Sequence, residues 1–216
     1  VLVGDSTDGS ALYSTACVYG GFTNTLDDCG NYSSAFTTTG SNSVGFSASY
    51  DIGNGFTGAV GYAGSGTADT GLMTSGTDYY GGQLTYTADS FGASVTYADL
   101  DTATAWGLNG YYTFASNLPS ISVGYEFGEV EVANADDVET TQWFVGLQWD
   151  EVGAGTLGAA LGTYGHIADG ATEYYMYEAF YSYPMNDGMT ITPVVFIKET
   201  SSTDETGLML KTSFSF

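Results

Sequence analysis

Basic residues are almost missing. Lys and Arg total 2 against 25 Asp and Glu, a formal charge of −23. Two cations cannot displace the counterion atmosphere of a nucleic acid, which argues strongly against a nucleic-acid partner. Charged residues of both signs make up only 12% of the 216 residues, about half the ~25% of an ordinary soluble domain. Proline is scarce at 3, and His166 is the one histidine. No apolar run approaches the ~18 residues of a membrane helix, and the longest obvious one is Pro193–Ile197. No basic n-region stands at Val1, so the chain reads as a mature chain, a cut fragment or a cytosolic protein.

What is abundant points to a sheet. Eighteen Tyr, 12 Phe and 3 Trp argue against disorder, and 31 Gly disfavour a helix bundle. From about Ser43 onward, segments of 8–11 residues alternate with period two, so each has one apolar face. Leu208, Leu210, Thr212, Phe214 and Phe216 share a face, with Lys211 on the other. Ile191, Val195 and Ile197 repeat the pattern with Lys198 opposite, and Tyr175, Tyr177, Ala179, Tyr181 and Tyr183 with Glu178 opposite. Trp143, Val145, Leu147 and Trp149 stand against Gln142 and Gln148. Ile121, Val123, Tyr125 and Phe127 stand against Glu126. Trp106, Leu108 and Tyr112 stand against Asn109, and Phe46, Ala48, Tyr50 and Ile52 against Asp51.

The spacing predicts eleven strands after residue 42. Their connections alternate between tight turns and mostly longer polar loops, so the longer loops fall at one end of the sheet. The apolar face carries aromatics near strand ends and small residues between them. The opposite face is Ser, Thr, Gly, Ala, Gln and a few carboxylates, which is no packed core. A sandwich inverts this arrangement. The pattern predicts an all-β antiparallel transmembrane barrel with aromatic girdles toward lipid and a polar interior. A further strand at Ala11–Phe22 brings the count to an even twelve, the parity of bacterial single-chain barrels. Residues 1–42 then form an N-terminal segment with that first strand, and 43–216 the barrel strands. Cys17 and Cys29 lack CxxC spacing and a neighbouring His, so a disulfide fits better than a metal site, with two free thiols as the alternative. The bridge is expected to staple the first strand to a surface loop.

Four segments carry a family resemblance. TQWFVGLQWDEV (141–152) with GTLGAALG (155–162), LPSISVGYEFG (118–128), EAFYSYPMNDGMTITPVVFI (178–197) and LMLKTSFSF (208–216) resemble cyanobacterial outer-membrane porins of the marine picocyanobacterial type. The likeness covers about 100–216 well and 43–99 more weakly. It implies an outer-membrane diffusion channel for ions and small solutes, a homotrimer, and Phe216 as the terminal aromatic read by the barrel-assembly machinery. Members of that family are longer, with a peptidoglycan-anchoring module and more strands. The chain is therefore expected to be either a whole barrel of about twelve strands or the C-terminal part of a larger one.

Charge supplies the functional expectation. Asp51, Glu126 and Glu178 fall on the inward register with Lys198, Lys211, Gln142, Gln148 and Asn109, and are expected to line a pore. An interior of one sign concentrates counter-ions, so cations are expected to be preferred. Salt screens loop acids over ~3–8 Å, which favours Glu126 and Glu178 over the loops as selectivity determinants. Asp136–Asp137 and Asp27–Asp28 offer oxygen ligands of the kind Ca²⁺ or Mg²⁺ takes, but without a dedicated spacing the plainer reading is a solvated loop. No other cofactor is called for. His166, near Asp169 and Glu173, lacks the partners of a catalytic set, so no enzyme is expected. The competing reading is a non-conducting structural or adhesive surface β protein, either a filament subunit or a filled barrel.

Overall fold

The computed structural model describes residues 2–4, 16–23, 26, 29, 44–64, 78–115 and 117–215. Among the described residues, thirteen strands form one antiparallel sheet. They are β1 (Leu2–Gly4), β2 (Val44–Gly53), β3 (Phe56–Gly64), β4 (Asp78–Thr87), β5 (Phe91–Leu100), β6 (Ala103–Tyr112), β7 (Ser120–Val130), β8 (Val138–Val152), β9 (Gly155–Thr163), β10 (Ile167–Ala168), β11 (Tyr175–Asn186), β12 (Met189–Lys198) and β13 (Glu205–Phe214). Twelve of them pair in sequence order without a crossover, and the two-residue β10 pairs β8. This is the up-and-down order of a barrel wall, and among the described residues the path ends at β1 on one side and β13 on the other.

Eleven long strands follow residue 42, as the period-two rows predict. Alternating Tyr, Phe, Val, Thr and Gly suit a pleated surface. Tight turns close one end, as at Gly53–Gly55, where Gly53, Asn54 and Gly55 all have positive φ (93°, 55° and 86°). β8 and β11 run further into their turns than the pattern predicts, to Val152 and Asn186.

The predicted strand Ala11–Phe22 is corrected. Its described part, residues 16–22, carries no strand, and residues 11–15 lie outside the described residues. The strand that pairs β2 is instead Leu2–Gly4, in register Leu2↔Ser47 to Gly4↔Gly45. β1 thereby ends, and β2 begins, at the long-loop end, with residues 5–43 between them in sequence.

Burial along the strands is inverted relative to a soluble sheet. Tyr50, Val60, Leu84, Leu108, Val123, Tyr125, Val145, Val195, Leu208 and Leu210 are exposed. Gln83, Thr96, Asn109, Ser122, Glu126, Gln142 and Glu178 are buried. An apolar surface this extensive is untenable in water and natural in lipid. Aromatic pairs band both edges of it. Phe56–Tyr86, Tyr86–Phe91 and Tyr112–Phe114 lie by the tight turns, and Tyr62–Tyr80, Tyr97–Trp106 and Trp143–Tyr175 by the long loops. No described helix is long and apolar enough to cross a membrane, which says nothing of strands.

Candidate functional site: the inner wall and the segment docked on it

The described residues of the β1–β2 connection, 16–23, 26 and 29, lie against the inner face of the sheet. Their backbone donors find inward side chains of four strands. Ala16 N donates to Ser94 Oγ on β5 at 2.9 Å. Val18 N and Tyr19 N both donate to Ser122 Oγ on β7, at 3.0 and 3.2 Å. Gly20 N donates to Gln148 Oε1 on β8 at 3.1 Å. On β11, Glu178 accepts from Phe22 N at 3.1 and 3.2 Å, from Thr23 N at 2.6 Å and from the Tyr19 hydroxyl at 2.9 Å. From β6, Asn109 Nδ2 donates to the Cys29 carbonyl at 2.8 Å. An irregular segment can lie at membrane depth only where protein satisfies its backbone in this way.

Burial, and beside it the charge and hydrogen bond of Glu178, push the Tyr19 phenol above its ordinary range, so it stays a donor. The Glu178 carboxylate is almost fully buried, and among the described residues its hydrogen bonds come from neutral donors.

Apolar contacts complete the dock. Tyr19, Leu26, Cys29, Phe144, Met176, Phe180 and Val194 form a buried cluster, with Phe22, Phe196 and Met209 packed on it. The Phe180 ring lies 4.9 Å from Phe22 edge-on and 5.7 Å from Tyr19. Small residues make the room: a Cβ on Gly124 would collide with the Cys29 carbonyl oxygen. Cys17 and Cys29 are disulfide-bonded, with Cα atoms 6.5 Å apart. The bridge was expected to join a strand to a surface loop. It joins two parts of the docked segment, because both cysteines belong to the connection that folds inward.

The expected pore-lining residues divide into groups. Asn109, Gln148 and Glu178 hold the segment. Lys211 also faces it, with Nζ 4.8 Å from the Phe22 ring centroid. Lys198 stands at the long-loop rim, 3.5 Å from Glu205 and 4.2 Å from the Tyr164 ring centroid. Asp51 is exposed at the tight-turn rim, where its Oδ1 accepts from Gly53 N at 2.8 Å and caps the turn. Glu126 is buried and contacts His166 Nε2, while Gln142, directly opposite Glu126 in register, is fully buried. Asp136 and Asp137 are exposed in the 131–137 loop. Asp27, Asp28 and Phe216 lie outside the described residues.

The alternation rows missed the apolar half of the inner wall. Phe144, Met176, Phe180, Val194, Phe196 and Met209 face inward between outward apolar neighbours. The signal was the break in alternation at Trp143–Phe144–Val145, Phe180–Tyr181 and Val194–Ile197, where both faces are apolar. A strand buried on both faces has that signature.

A model of the Gram-negative porin family matches residues 3–204. Among solved structures the chain is similar to an anion-selective porin from Comamonas acidovorans. The two share 15% identity with a TM-score of 0.63, over 81% of this chain and 59% of that one. It is also matched, at a TM-score of 0.39 and 13% identity, to the KdgM porin in complex with disordered oligogalacturonate, over 81% of this chain and 92% of that one. The chain thus spans about three-fifths of the length of the Comamonas porin it matches. Comparison with curated proteins yields no match.

Proposed function

This chain belongs to the Gram-negative porin family, and from that premise we propose that it serves as an outer-membrane channel for passive diffusion of ions and small hydrophilic solutes, with a preference for cations. The observation that carries the reading is the inverted wall: apolar side chains outward and buried Glu126, Gln142, Glu178, Asn109 and Ser122 inward. The preference rests on charge. Lys198 is engaged by Glu205 and Lys211 lies over Phe22, whereas the hydrogen bonds that Glu178 accepts come from the neutral donors Tyr19, Phe22 and Thr23. Exposed Asp101, Glu129, Glu131, Asp136, Asp137 and Asp204 add to the same sign at the long-loop end. Such a field draws cations in and turns anions away. The selectivity in the name of the Comamonas porin does not transfer, because the similarity is one of fold and selectivity follows lining charge.

The finer kinship to the cyanobacterial type is supported by segments 118–128, 141–162, 178–197 and 208–216. With it come the homotrimer and recognition of Phe216 by the assembly machinery. Ca²⁺ or Mg²⁺ at the acidic loops has less behind it. No group of three or more His, Cys, Asp or Glu suited to a metal occurs among the described residues. The test of function is the reversal potential of the detergent-extracted protein in a planar bilayer under a KCl gradient. Stepwise conductance with a cation-selective reversal potential is expected; a potential at zero or of anion sign overturns the preference. A second reading is favoured by the apolar cluster around Phe180, which fills part of the interior: a closed barrel whose docked segment blocks conduction. Absence of conductance from the folded protein supports it.

A further inference from the structure

We infer that Glu126, Gln142 and His166 on the inner wall form a binding site for one divalent transition-metal cation of the Zn²⁺ or Cu²⁺ kind. The sheet is distorted between β9 and β10. β9 pairs β8 as far as Phe144↔Gly162, and β10 resumes the ladder at Thr141↔Ile167. Two extra residues therefore enter between them, and Gly165 takes a positive φ of 73°. Undistorted pairing would set His166 opposite Thr140. The bulge draws it back level with Gln142. Bulges of this kind re-aim one side chain, and the side chain re-aimed here is the chain's single histidine.

Three donors converge there. Glu126 and Gln142 are direct cross-strand partners, which places their Cβ atoms about 5 Å apart. His166 Nε2 contacts Glu126 Oε1. The second observation is Gln142 itself. Its side chain is fully buried, and neither Oε1 nor Nε2 has a hydrogen-bond partner. A buried amide left in that state is unfavourable unless something binds it. The Glu126–His166 contact engages Glu126 Oε1 and His166 Nε2 but offers nothing to the amide oxygen. A cation held by one carboxylate oxygen, one amide oxygen and one imidazole nitrogen uses all three, with water in the remaining positions. Imidazole nitrogen among the donors selects Zn²⁺, Cu²⁺ or Ni²⁺ over Ca²⁺ and Mg²⁺, which take oxygen cages. The His166 ring is the partly exposed member and marks the side of access.

The test is a Cu²⁺ titration of the detergent-extracted, tag-free full chain, followed by electron paramagnetic resonance and paralleled by Zn²⁺ calorimetry. Neither readout depends on conductance, so the inference stands or falls apart from the channel reading. One site per chain is expected, with coupling to a single imidazole nitrogen, undisturbed by equal Mg²⁺ or Ca²⁺. With only one histidine present, the wild-type spectrum decides by itself: saturable binding without imidazole coupling, or no saturable binding, overturns the inference. His166→Gln should abolish the coupling, and this variant and Glu126→Gln should each weaken binding at least tenfold. The Asp136→Asn/Asp137→Asn pair should leave it unchanged. Binding lost in that pair while His166→Gln binds normally places the metal in the loops and refutes the site.

Discussion

Replacing Glu178 separates two views of this residue, a free pore charge and a latch. Its two oxygens take hydrogen bonds from Phe22 N, Thr23 N and the Tyr19 hydroxyl, and the group is 3% exposed. A hydrogen bond to a charged group contributes ~1.5–3 kcal/mol, and losing the acceptor also strands buried donors. The three bonds share one carboxylate and are not additive, so Glu178→Ala should weaken docking of the segment by about 3 kcal/mol. That corresponds to roughly a hundredfold shift in the docking equilibrium. Ser94→Ala, which removes the single neutral bond to Ala16 N, should cost only ~1 kcal/mol. The assay is chymotrypsin cleavage after Tyr19 or Phe22 in the folded protein, read on reducing gels, with single-channel conductance alongside. Glu178→Ala should accelerate cleavage strongly and raise or destabilise conductance, and Ser94→Ala should do so weakly. The latch is refuted if Glu178→Ala shifts the reversal potential yet leaves protease protection and conductance at wild-type levels.

Other consequences follow from the same contacts. Reducing the Cys17–Cys29 bridge, or Cys17→Ser, frees a loop of twelve-residue separation, worth about 3 kcal/mol in the chain-entropy account; faster cleavage of the segment with unchanged sheet circular dichroism is the expected result. Phe180→Ala removes a buried ring that touches Tyr19 and Phe22. It should cost ~3–5 kcal/mol, shared between sheet and segment, and be visible as a lower unfolding temperature together with protease sensitivity. Gly124→Ala puts a methyl group into the Cys29 carbonyl, so it should loosen the segment while the barrel still assembles and shows heat-modifiable migration. Neutralising Glu126 and Glu178 together should lower cation preference in the bilayer assay well beyond neutralising Asp136 and Asp137, and equal effects would contradict the priority given to interior charge over screened loops.

Much of the wall was legible in the sequence because its cause is local. Residues two apart point the same way on a strand, so Trp143, Val145 and Leu147 declare an outward face whatever they pair with. Lipid on one side and polar groups on the other invert the usual pattern, and that inversion shows in composition alone. The strand count after residue 42 and the end carrying the long loops followed from the same rhythm. The placement of residues 16–23, 26 and 29 did not. Nothing in Ala16–Phe22 alternates, and its partners are distant in sequence: Ser122 is 104 residues from Val18, and Glu178 is 159 from Tyr19. A carboxylate on the inward register reads the same whether it faces water or backbone N–H groups. The bulge that brings His166 beside Glu126 was equally hidden, since a register shift is a property of paired strands and not of one.

By itself, then, the sequence determined the two-sided sheet and the sign of its charge, since each depends on neighbours in the chain or on totals over it, while the bond between Cys17 and Cys29 is settled by the structure. Tertiary structure alone decided that Glu178 holds a segment, that the inner wall is half apolar, and that Gln142 lies opposite Glu126 within reach of His166. The first comes from closing a long connection back over the sheet, and the last from the pairing of β7, β8 and β10 across a register shift. The free energy of that closure lies in contacts between residues that share no local pattern.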